Sequence, residues 1–372
     1  MKKTIFSFFS GSGFLDLGFE TENYNIAFVN EYFKPFIDAY KYSRSLMNID
    51  EPEFGYSSDS ILEFQNGKKG KELKLAVQNK QKDSLVGFIG GPPCPDFSVG
   101  GKNKGRNGDN GKLSGIYVNI INNSNPDFFL FENVKGLWRT QKHREFYEEL
   151  KRKLQNNKYI TTERLINSIE YGTPQDRDRI ILLGFKEKLL ADLKFDEFFT
   201  RTISNGYFPW KKYQMFQKEE TMHLPWPKRD KFKENSIKKR PNCIPEELTV
   251  EYWFKKNGVL NHANSQHCFK PRAGLAKFRT VDEGDDSKKC FKRLHRHRYS
   301  PTACYGNNEV HLHPYKARRL TVSEALAVQS LPQNFVLPED MTLTNMFKTI
   351  GNGVPYLASK GIAQSINYFL EN

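Results

Sequence analysis

Short apolar runs that end in glycine-rich or polar segments constrain the fold of this chain more than any other feature. Four such runs occupy residues 4–9, 85–89, 128–131 and 179–185, and helix-like stretches such as residues 146–154 lie between them. Short buried strands that alternate with helices are typical of an α/β domain with a mostly parallel sheet. In such sheets, ligands bind at the carboxyl ends of the strands. The sequence therefore predicts an α/β fold whose functional groups follow the strands.

Positive charge is concentrated in one block of the chain, residues 201–300. The chain of 372 residues has a formal net charge of +14, and this block has 23 Lys and Arg against 11 Asp and Glu. It also holds aromatic residues, among them Trp210, Trp226 and Trp253. A solvated, lysine-rich insertion would explain the charge, whereas a module that neutralises phosphates and contacts bases would also explain the aromatic residues. We therefore expect a polyanionic partner.

The composition and the cysteines favour a protein of a reducing, aqueous compartment. Hydrophobic residues make up 38% of the chain, and no apolar run approaches the ~18 residues that a membrane span needs. The five cysteines are odd in number and lack short repeat spacing, which predicts free thiols and a cytoplasmic location. We interpret the apolar start as a strand that enters a tight loop, and not as a signal peptide. Cys268, Cys290, His295 and His297 could be combined into a zinc site, but no C-x-x-C pair supports one, and we predict no metal.

The segment after the first apolar run is typical of a loop that binds a ligand at the start of a helix. Gly11 and Gly13 let a ligand approach the backbone, although Asp16 stands where a dinucleotide-binding fingerprint would have a third glycine. Glu31 follows a second apolar run, and an acid there can accept both hydroxyls of a ribose. Asp59, after a third segment, could accept from an adenine amino group. An adenosine-containing cofactor and an ordinary glycine turn with two surface acids both remain open.

A rigid turn presents a cysteine at the end of the second strand-like run. Residues 90–94 read Gly-Gly-Pro-Pro-Cys, so two prolines stiffen the chain directly before Cys94. A free thiol has a pKa of about 8.5 and needs help from its surroundings to become a thiolate. We interpret Cys94 as a nucleophile, with a packed small residue as the alternative.

Ionisable groups also stand at two further strand ends. Glu132 ends its run, and a carboxyl group there can lie beside Cys94 in a parallel sheet. If the segment that leads into the last run is a strand, Gln175, Arg177 and Arg179 share one face. The alternative interpretation is an ion-pair ladder on the surface.

With these motifs in view, the chain resembles the DNA cytosine-5 methyltransferases over nearly its whole length. The matching motifs occur in the family's order: Phe9-Ser10-Gly11-Ser12-Gly13, Pro92-Pro93-Cys94, Glu132-Asn133-Val134, Gln175-Asp176-Arg177-Asp178-Arg179, Arg319-Leu320-Thr321 with Glu324, and Gly351-Asn352-Gly353-Val354-Pro355. One departure is Pro95, where the family usually has Gln. The basic block falls where the family has its variable target-recognition region.

The resemblance implies a Rossmann-like, S-adenosylmethionine-dependent methyltransferase domain with a smaller, variable target-recognition domain inserted before the last motifs. The catalytic and cofactor-binding domain would comprise residues 1–185 and 340–372. Residues 186–318 would recognise the target, and residues 319–339 would connect the two. The last helix, from about Val354, would return to the first domain.

The resemblance also implies a covalent mechanism on a base that has been flipped out of the duplex. Cys94 would attack carbon 6 of cytosine, and Glu132 would stabilise the charge that grows at N3. Arg179 would hold the base O2 or a phosphate, while Arg177 would order the site. S-adenosylmethionine would be held by Phe9, Gly11, Gly13, Glu31, Asp59, Ser60, Ile61 and Asn352. The DNA would be held by a glycine-rich loop through Ser98, Lys102, Lys104 and Arg106.

The expected partner is double-stranded DNA, without a membrane. A cognate restriction endonuclease would act on the same site without a stable complex, and the enzyme would be a monomer. Transfer RNA is an alternative substrate, but the family branch that uses it carries Cys-Phe-Thr where this chain has Cys268-Phe269-Lys270. An amino methyltransferase would need an acid or amide at Gly91 and an aromatic residue at Cys94. A DNA-binding protein with a decayed site is disfavoured because Cys94, Glu132 and Arg179 are intact.

Overall fold

A seven-stranded sheet organises the computed structural model, which describes residues 1–93, 109–192, 201–271, 275–288, 290–305 and 309–372. Its strands are β1 (Lys3–Phe8), β2 (Asn25–Asn30), β3 (Tyr56–Ser57), β4 (Leu85–Gly90), β5 (Phe128–Val134), β6 (Tyr159–Asn167) and β7 (Asp178–Lys186). Their order across the sheet is β3-β2-β1-β4-β5-β7-β6. The first five strands pair in parallel, whereas β7 is antiparallel to both β5 and β6.

Helices cover both faces of this sheet and continue into the second half of the chain. They are α1 (Phe14–Glu20), α2 (Lys34–Leu46), α3 (Gly67–Lys80), α4 (Asp109–Ser124), α5 (Lys135–Arg139), α6 (Gln141–Asn156), α7 (Glu187–Asp192), α8 (Lys218–His223), α9 (Val250–Lys256), α10 (Leu275–Thr280), α11 (Val322–Val328), α12 (Leu343–Asn352) and α13 (Tyr356–Glu371). Short 3-10 helices lie at Ile61–Phe64, Ser168–Tyr171, Glu246–Leu248 and Ala263–Gln266.

Side chains alternate between the two faces of each strand, so the sheet is buried on both sides. On one face, Ile5 and Leu183 pack with Phe19 of α1 and Ile366 of α13. On the other face, aromatic residues of the strands pack with α3, α4 and α6; they include Phe6, Phe8, Phe28, Phe88, Phe129 and Phe131. This double burial explains why the strands appear in the sequence as continuous apolar runs.

The chain order reverses beside β1, which has β2 on one side and β4 on the other. In open α/β sheets, ligands bind in the crevice outside the carboxyl ends of the strands at such a switch point. The predicted Rossmann-like fold is therefore confirmed, and the crevice lies where the loops after β1 and β4 begin.

The second half of the chain is mostly irregular and packs in a buried cluster that also includes Phe14 and Leu17 of α1. Trp253, Leu294, Leu320 and Phe335 pack with Phe347 of α12 in one buried cluster. Buried arginines support the irregular backbone by donating to carbonyl groups: Arg293 donates to Val281 and Lys316, and Arg177 donates to Ala303. Such bonds replace the ladders that helices and strands would supply.

The first residues of the basic block pack on the seven-stranded sheet. Ile203, Phe208 and Trp210 belong to the same buried cluster as the strands β6 and β7, and the Trp210 indole donates to Thr162 Oγ1 at 3.0 Å. The predicted domain boundary after residue 185 stays a prediction, and this packing favours a later one.

No helix in the described ranges is both long and apolar enough to cross a membrane.

Candidate active site

The loop between β1 and α1 is built from three residues in the left-handed region. Phe9 has φ +53°, Gly11 +56° and Gly13 +77°. A Cβ at Gly13 would lie 2.4 Å from the Tyr40 ring, so only glycine fits there. Phe9 has a side chain and adopts the same region at a cost of about 1–2 kcal/mol, which is typical of functional turns.

A buried cluster of charges holds this loop from below. Arg44 donates from Nη2 to the Gly13 carbonyl at 2.6 Å and pairs through Nε with Glu20 at 2.7 Å. Tyr40 donates to Asp16 at 3.0 Å. Burial, then repulsion by Glu20, raises the pKa of Asp16 to about 7. Asp16, which stands where a dinucleotide fingerprint has glycine, therefore belongs to the support of the loop.

Glu31 ties the loop to the end of β2. Its Oε2 accepts from the Gly11 amide at 3.0 Å and its Oε1 accepts from the Phe33 amide at 2.8 Å. A carboxylate has about four lone-pair sites, so the two oxygens can each accept one more hydrogen bond. Burial raises the pKa of Glu31, although the two amides and Lys348 oppose this shift.

The segment after β3 lies beside this acid. Asn30 donates from Nδ2 to the carbonyls of Ser57 and Asp59, at 3.1 and 3.0 Å. The Asp59 carboxylate accepts from the Ser57 hydroxyl at 2.6 Å and pairs with Lys69 at 2.7 Å, which lowers its pKa, and it remains 42% exposed.

The 3-10 helix after Asp59 fixes the other two predicted residues of this segment. Ser60 caps the helix by accepting from the Leu62 amide. Ile61 is buried. Asp59, Ser60 and Ile61 thus lie at the carboxyl end of the sheet with Glu31.

Helix α12 closes the loop from the other side. Thr349 bonds to Ser12 through the two hydroxyls, which lie 2.8 Å apart, and its hydroxyl would lie 3.9 Å from a Cβ at Gly11. Lys348 lies 5.0 Å above the Phe33 ring. Asn352 is the last residue of α12 and its side chain is exposed.

Glu132 and Arg179 form an ion pair at the carboxyl end of β5. Arg179 Nε lies 2.7 Å from Glu132 Oε1, and both side chains are mostly buried. A Cβ at Gly91 would lie 2.6 Å from Glu132 Oε2, so the carboxyl group touches the backbone three residues before Cys94. Burial raises the pKa of Glu132, whereas Arg179 and Arg177 oppose the shift. Burial therefore makes a proton easier to retain on Glu132, while the two arginines stabilise its charged form.

Asn133 braces the same strand end. Its Nδ2 donates to the Pro92 carbonyl at 3.4 Å, and its Oδ1 accepts from the Val134 amide at 2.9 Å. Its side chain is therefore fixed between β5 and the Pro92-Pro93 turn.

Arg177 supports the backbone of the site, and its described contacts are with carbonyl groups. Its guanidinium donates to the carbonyls of Ala303, Gly351 and Asn352, at 3.1, 2.9 and 3.4 Å. Burial and the nearby Arg179 lower its pKa to about 9. Gln175 also bonds to Ala303, through the amide of that residue. Strand β7 begins only at Asp178, so Gln175 and Arg177 lie before the strand on which the predicted shared face depended. These two residues support the backbone, whereas Arg179 belongs to the ion pair.

Cys94 and the predicted DNA-binding residues Ser98, Lys102, Lys104 and Arg106 lie outside the described residues. The residues of the imagined zinc site contact other groups. His295 bonds to Asp230 at 3.1 Å, His297 to the Lys238 carbonyl at 3.0 Å and Cys268 to the Arg319 carbonyl.

Several side chains at the site were not assigned a role from the sequence. Asn30, Asn133 and Thr349 make their contacts through tertiary structure, and only Asn133 lies in a recognised motif. Tyr32 follows Glu31 and is 73% exposed, so its ring is available beside the crevice. An exposed aromatic residue directly after a strand and an acid was the one signal that could have identified it.

Four features of the site together are typical of a Rossmann-like methyltransferase. They are the switch point of the sheet at β1, the glycine loop with left-handed residues, the acid bonded to that loop, and the carboxyl–guanidinium pair at the carboxyl end of β5. Residues 3–368 match the C-5 cytosine-specific DNA methylase family. The chain belongs to this family and is a DNA cytosine-5 methyltransferase.

Individual relatives agree with this assignment over the full chain. The chain is 56% identical to the Type II methyltransferase M.NmeDI of Neisseria meningitidis serogroup C, over 100% of this chain and 85% of the relative. It is 27% identical to M.FnuDI of Fusobacterium nucleatum, over 97% and 94% of the two chains. The crystal structure of the S. pombe Dnmt2 methyltransferase shares the fold, with a TM-score of 0.61 at 14% identity, over 100% of this chain and 99% of that one.

Proposed function

We propose that the chain methylates carbon 5 of a cytosine within a specific sequence of double-stranded DNA, with S-adenosylmethionine as donor and Cys94 as nucleophile. The observation that carries the residue assignment is the Glu132–Arg179 pair, which contacts Gly91 three residues before Cys94. An acid, a cation and a thiol are the three groups that this reaction requires of the protein.

Each of these residues has a distinct part in the reaction. The Cys94 thiolate bonds to carbon 6, and carbon 5 becomes nucleophilic. Glu132, whose pKa is raised by burial, hydrogen-bonds to N3 and stabilises the charge that develops there. Arg179 orients Glu132 and contacts the base O2 or a neighbouring phosphate. Loss of the proton on carbon 5 breaks the bond between carbon 6 and sulfur, and the thiolate leaves.

In this proposal, Arg177 supports the site without contacting the base. Because its guanidinium donates to three backbone carbonyls, it positions the segments that carry Ala303 and Asn352. It therefore acts through the backbone that it holds.

The crevice residues fit an adenosine-containing donor. Glu31 keeps acceptor sites for the ribose hydroxyls, and the turn from Phe9 to Gly13 leaves the backbone open to close approach. Asp59 and Ser60 offer polar groups and Tyr32 offers a ring for the adenine, next to the buried Ile61, and Asn352 closes the pocket with α12. When bound, S-adenosylmethionine supplies the methyl group that carbon 5 accepts.

Access to carbon 6 requires the cytosine to leave the stacked duplex, at a cost of a few kcal/mol. Ser98, Lys102, Lys104 and Arg106 would contact the DNA from the loop that follows Cys94, because lysine and arginine bind phosphates. Residues 186–318 would select the sequence, with residues 1–185 and 340–372 as the catalytic domain.

The biological context follows from the relatives, which are named as Type II methyltransferases. We place the enzyme in a restriction-modification system, where it protects a site that a cognate endonuclease cleaves. It would act in the cytoplasm as a monomer, without a stable complex with the endonuclease.

Replacement of the nucleophile tests this proposal. Cys94→Ser should abolish methyl transfer and leave cofactor binding intact, whereas the exposed cysteine in Cys243→Ser should be dispensable. On DNA with 5-fluorocytosine at the target, the wild type should form an adduct that resists denaturant, because fluorine cannot leave as the proton does. Near wild-type turnover of Cys94→Ser, or an adduct mapped by mass spectrometry to another residue, would refute the assignment.

A further inference from the structure

The most exposed aliphatic side chain within the described ranges lies in the basic block. Ile237 is 98% exposed. An isoleucine at this exposure gives nothing to the stability of the fold, since its stabilising effect comes from burial. The residues before and after it in the chain are both fixed by hydrogen bonds or ion pairs, which distinguishes this position from the tip of a flexible loop.

The residue before Ile237 is fixed by a buried ion pair. Arg296 donates to the Ser236 carbonyl and, from Nη2, to the Ser236 hydroxyl at 2.9 Å. Arg296 is itself buried and pairs with Glu283, which is also buried, through Nε and Oε1 at 2.8 Å. Asn235, one residue earlier, donates to the Tyr315 carbonyl at 2.8 Å.

The residue after Ile237 is fixed to the same cluster. Lys238 pairs with Asp230 at 2.8 Å and with Glu283 at 3.2 Å. Its carbonyl lies 3.0 Å from His297 Nε2. The backbone therefore holds Ile237 outward in one orientation, and its β-branched side chain adds stiffness at χ1.

The surroundings of Ile237 are strongly cationic. The segment 228–240 contains seven lysines and arginines, and the structure divides them into two groups. Arg229, Lys238 and Arg240 pair with acidic residues of the protein. The other four make no ion pair within the described ranges, and all four are exposed: Lys228, Lys231, Lys233 and Lys239. This charge complements a phosphate backbone.

The loop lies close enough to the catalytic residues to meet the same duplex. His297, which bonds to the loop, is three residues from Ser300, and the Ser300 carbonyl accepts from the Asp176 amide at 2.9 Å. Arg179 is three residues further on. Three residues span at most about 11 Å, and with the two hydrogen-bonded links the loop lies at most about 40 Å from Arg179, little more than one helical turn of DNA, about 34 Å.

We propose that Ile237 is a specificity-determining residue that makes apolar contact with a base edge of the target DNA, while the four unpaired lysines bind phosphates beside it. Apolar contact with a base, such as the methyl group of thymine, distinguishes sequences, whereas phosphate contacts do not. This inference rests on the proposed sequence-specific methylation of DNA. It divides the basic block into supporting, phosphate-binding and base-contacting residues.

The test compares Ile237→Ser with Lys239→Gln on the site that the wild type methylates, as mapped by sequencing. Ile237→Ser should weaken binding to a duplex with this site about tenfold, the scale of one aliphatic contact, with binding to unrelated DNA and the salt slope unchanged. Lys239→Gln should weaken binding to both duplexes and reduce the salt slope by about 0.9. Ile237→Val should retain most of the wild-type preference.

Two controls make the outcome decisive. Leu75→Ser removes another exposed aliphatic side chain, from α3, and should change nothing. Thermal melts should show that each variant is folded, because the replaced side chains are exposed. If Ile237→Ser leaves the preference for the mapped site unchanged, or weakens both duplexes equally, the inference is wrong. The proposed function would still stand, because it depends on the wild-type map and on Cys94.

Discussion

Glu31 has two tasks at the residue scale, since it fixes the cofactor loop and keeps acceptor sites toward the crevice. Both of its oxygens already accept backbone amides, from Gly11 and Phe33. Its conformation is thereby set before a ligand arrives, which lowers the entropy lost on binding. The acid was predicted from its position after a strand, but its bond to the loop appears only in the fold.

Replacement of this acid should affect the cofactor more than the DNA. Glu31→Ala should weaken S-adenosylmethionine binding by about 1–3 kcal/mol, the scale of hydrogen bonds to a charged group. Calorimetry measures this change directly, and DNA binding should change much less. Glu22→Ala removes an acid of the loop between α1 and β2 and is a suitable control. Unchanged cofactor affinity in Glu31→Ala would remove Glu31 from the ribose role.

Asp16 should make the stability of the enzyme depend on pH. Burial, then Glu20, raises its pKa from 3.8 to about 7, with Tyr40 and Arg44 of α2 and Ser7 of β1 opposing the shift. A raised pKa means that the folded state binds the proton more tightly, so this stabilisation is complete below pH 4 and disappears as the pH rises to 7.

The variant Asp16→Asn removes that titration and keeps the shape and an acceptor for Tyr40. Relative to wild type, the free energy of unfolding of the variant should increase by up to about 4 kcal/mol as the pH rises from 4 to 7. Urea unfolding at a series of pH values measures this difference. A difference that stays constant across this range would contradict the assignment of the buried proton to Asp16.

At the element scale, Arg177 joins the start of β7 to the end of α12. The last carbonyls of a helix have no partner within the helix, and Arg177 supplies one for Gly351 and Asn352. Because α12 also holds Ser12 through Thr349, the arginine supports the cofactor loop from a distance.

Loss of this arginine should therefore affect both stability and cofactor use. Arg177→Met should lower the free energy of unfolding by about 2–4 kcal/mol, because buried carbonyls lose their donor. It should also raise the KM for S-adenosylmethionine. Lys34→Met, which breaks an exposed ion pair with Asp38, should change stability by less than about 1 kcal/mol. Equal unfolding energies in Arg177→Met and wild type, measured in urea, would show that the carbonyls do not need this donor.

The elements that were predicted from the sequence are those whose pattern is local. Apolar runs at residues 4–9, 85–89 and 128–131 became β1, β4 and β5, because strands buried on both faces are apolar throughout. Strand β6 was missed, since its sequence YITTERLIN has four consecutive polar residues in its middle and follows a helix without a glycine turn. Its antiparallel pairing with β7 depends on partners that are distant in sequence.

The residues of the site also divide into those with a local sequence pattern and those whose contacts are distant in sequence. Glu132, Arg179 and Glu31 were identified because each belongs to a short motif beside a strand. The contacts of Asn133 and Thr349 could not be identified, because they depend on how segments far apart in the chain meet.

For the whole molecule, the basic block and the catalytic part share packing at two places. Ile203, Phe208 and Trp210 pack on the sheet. Leu294 packs in a second buried cluster, which also includes Tyr305 and Phe14 of α1. An exchange of residues 201–300 between relatives would cut through both clusters.

A domain exchange designed on these contacts should move target selection. Residues 211–318 transplanted into a relative of different specificity should transfer the specificity of this enzyme, and the chimera should melt closer to its parent than one that exchanges residues 201–300. Sequencing of methylated DNA measures the first outcome, and calorimetric scans measure the second. A folded, active chimera that keeps the specificity of the recipient would place target selection elsewhere in the chain.

The packing of α13 on α1 has a consequence for synthesis. A Cβ at Gly18 would lie 2.5 Å from the Lys360 backbone nitrogen, and Lys3 pairs with Glu371 at 2.5 Å. Helix α1 is thus covered by α13. At about 5–20 residues per second, the ribosome needs roughly 20–70 s to add the second partner after the first. During that interval the apolar face of α1 has no cover, so the nascent chain cannot complete the cofactor half of its active site until α13 has been synthesised.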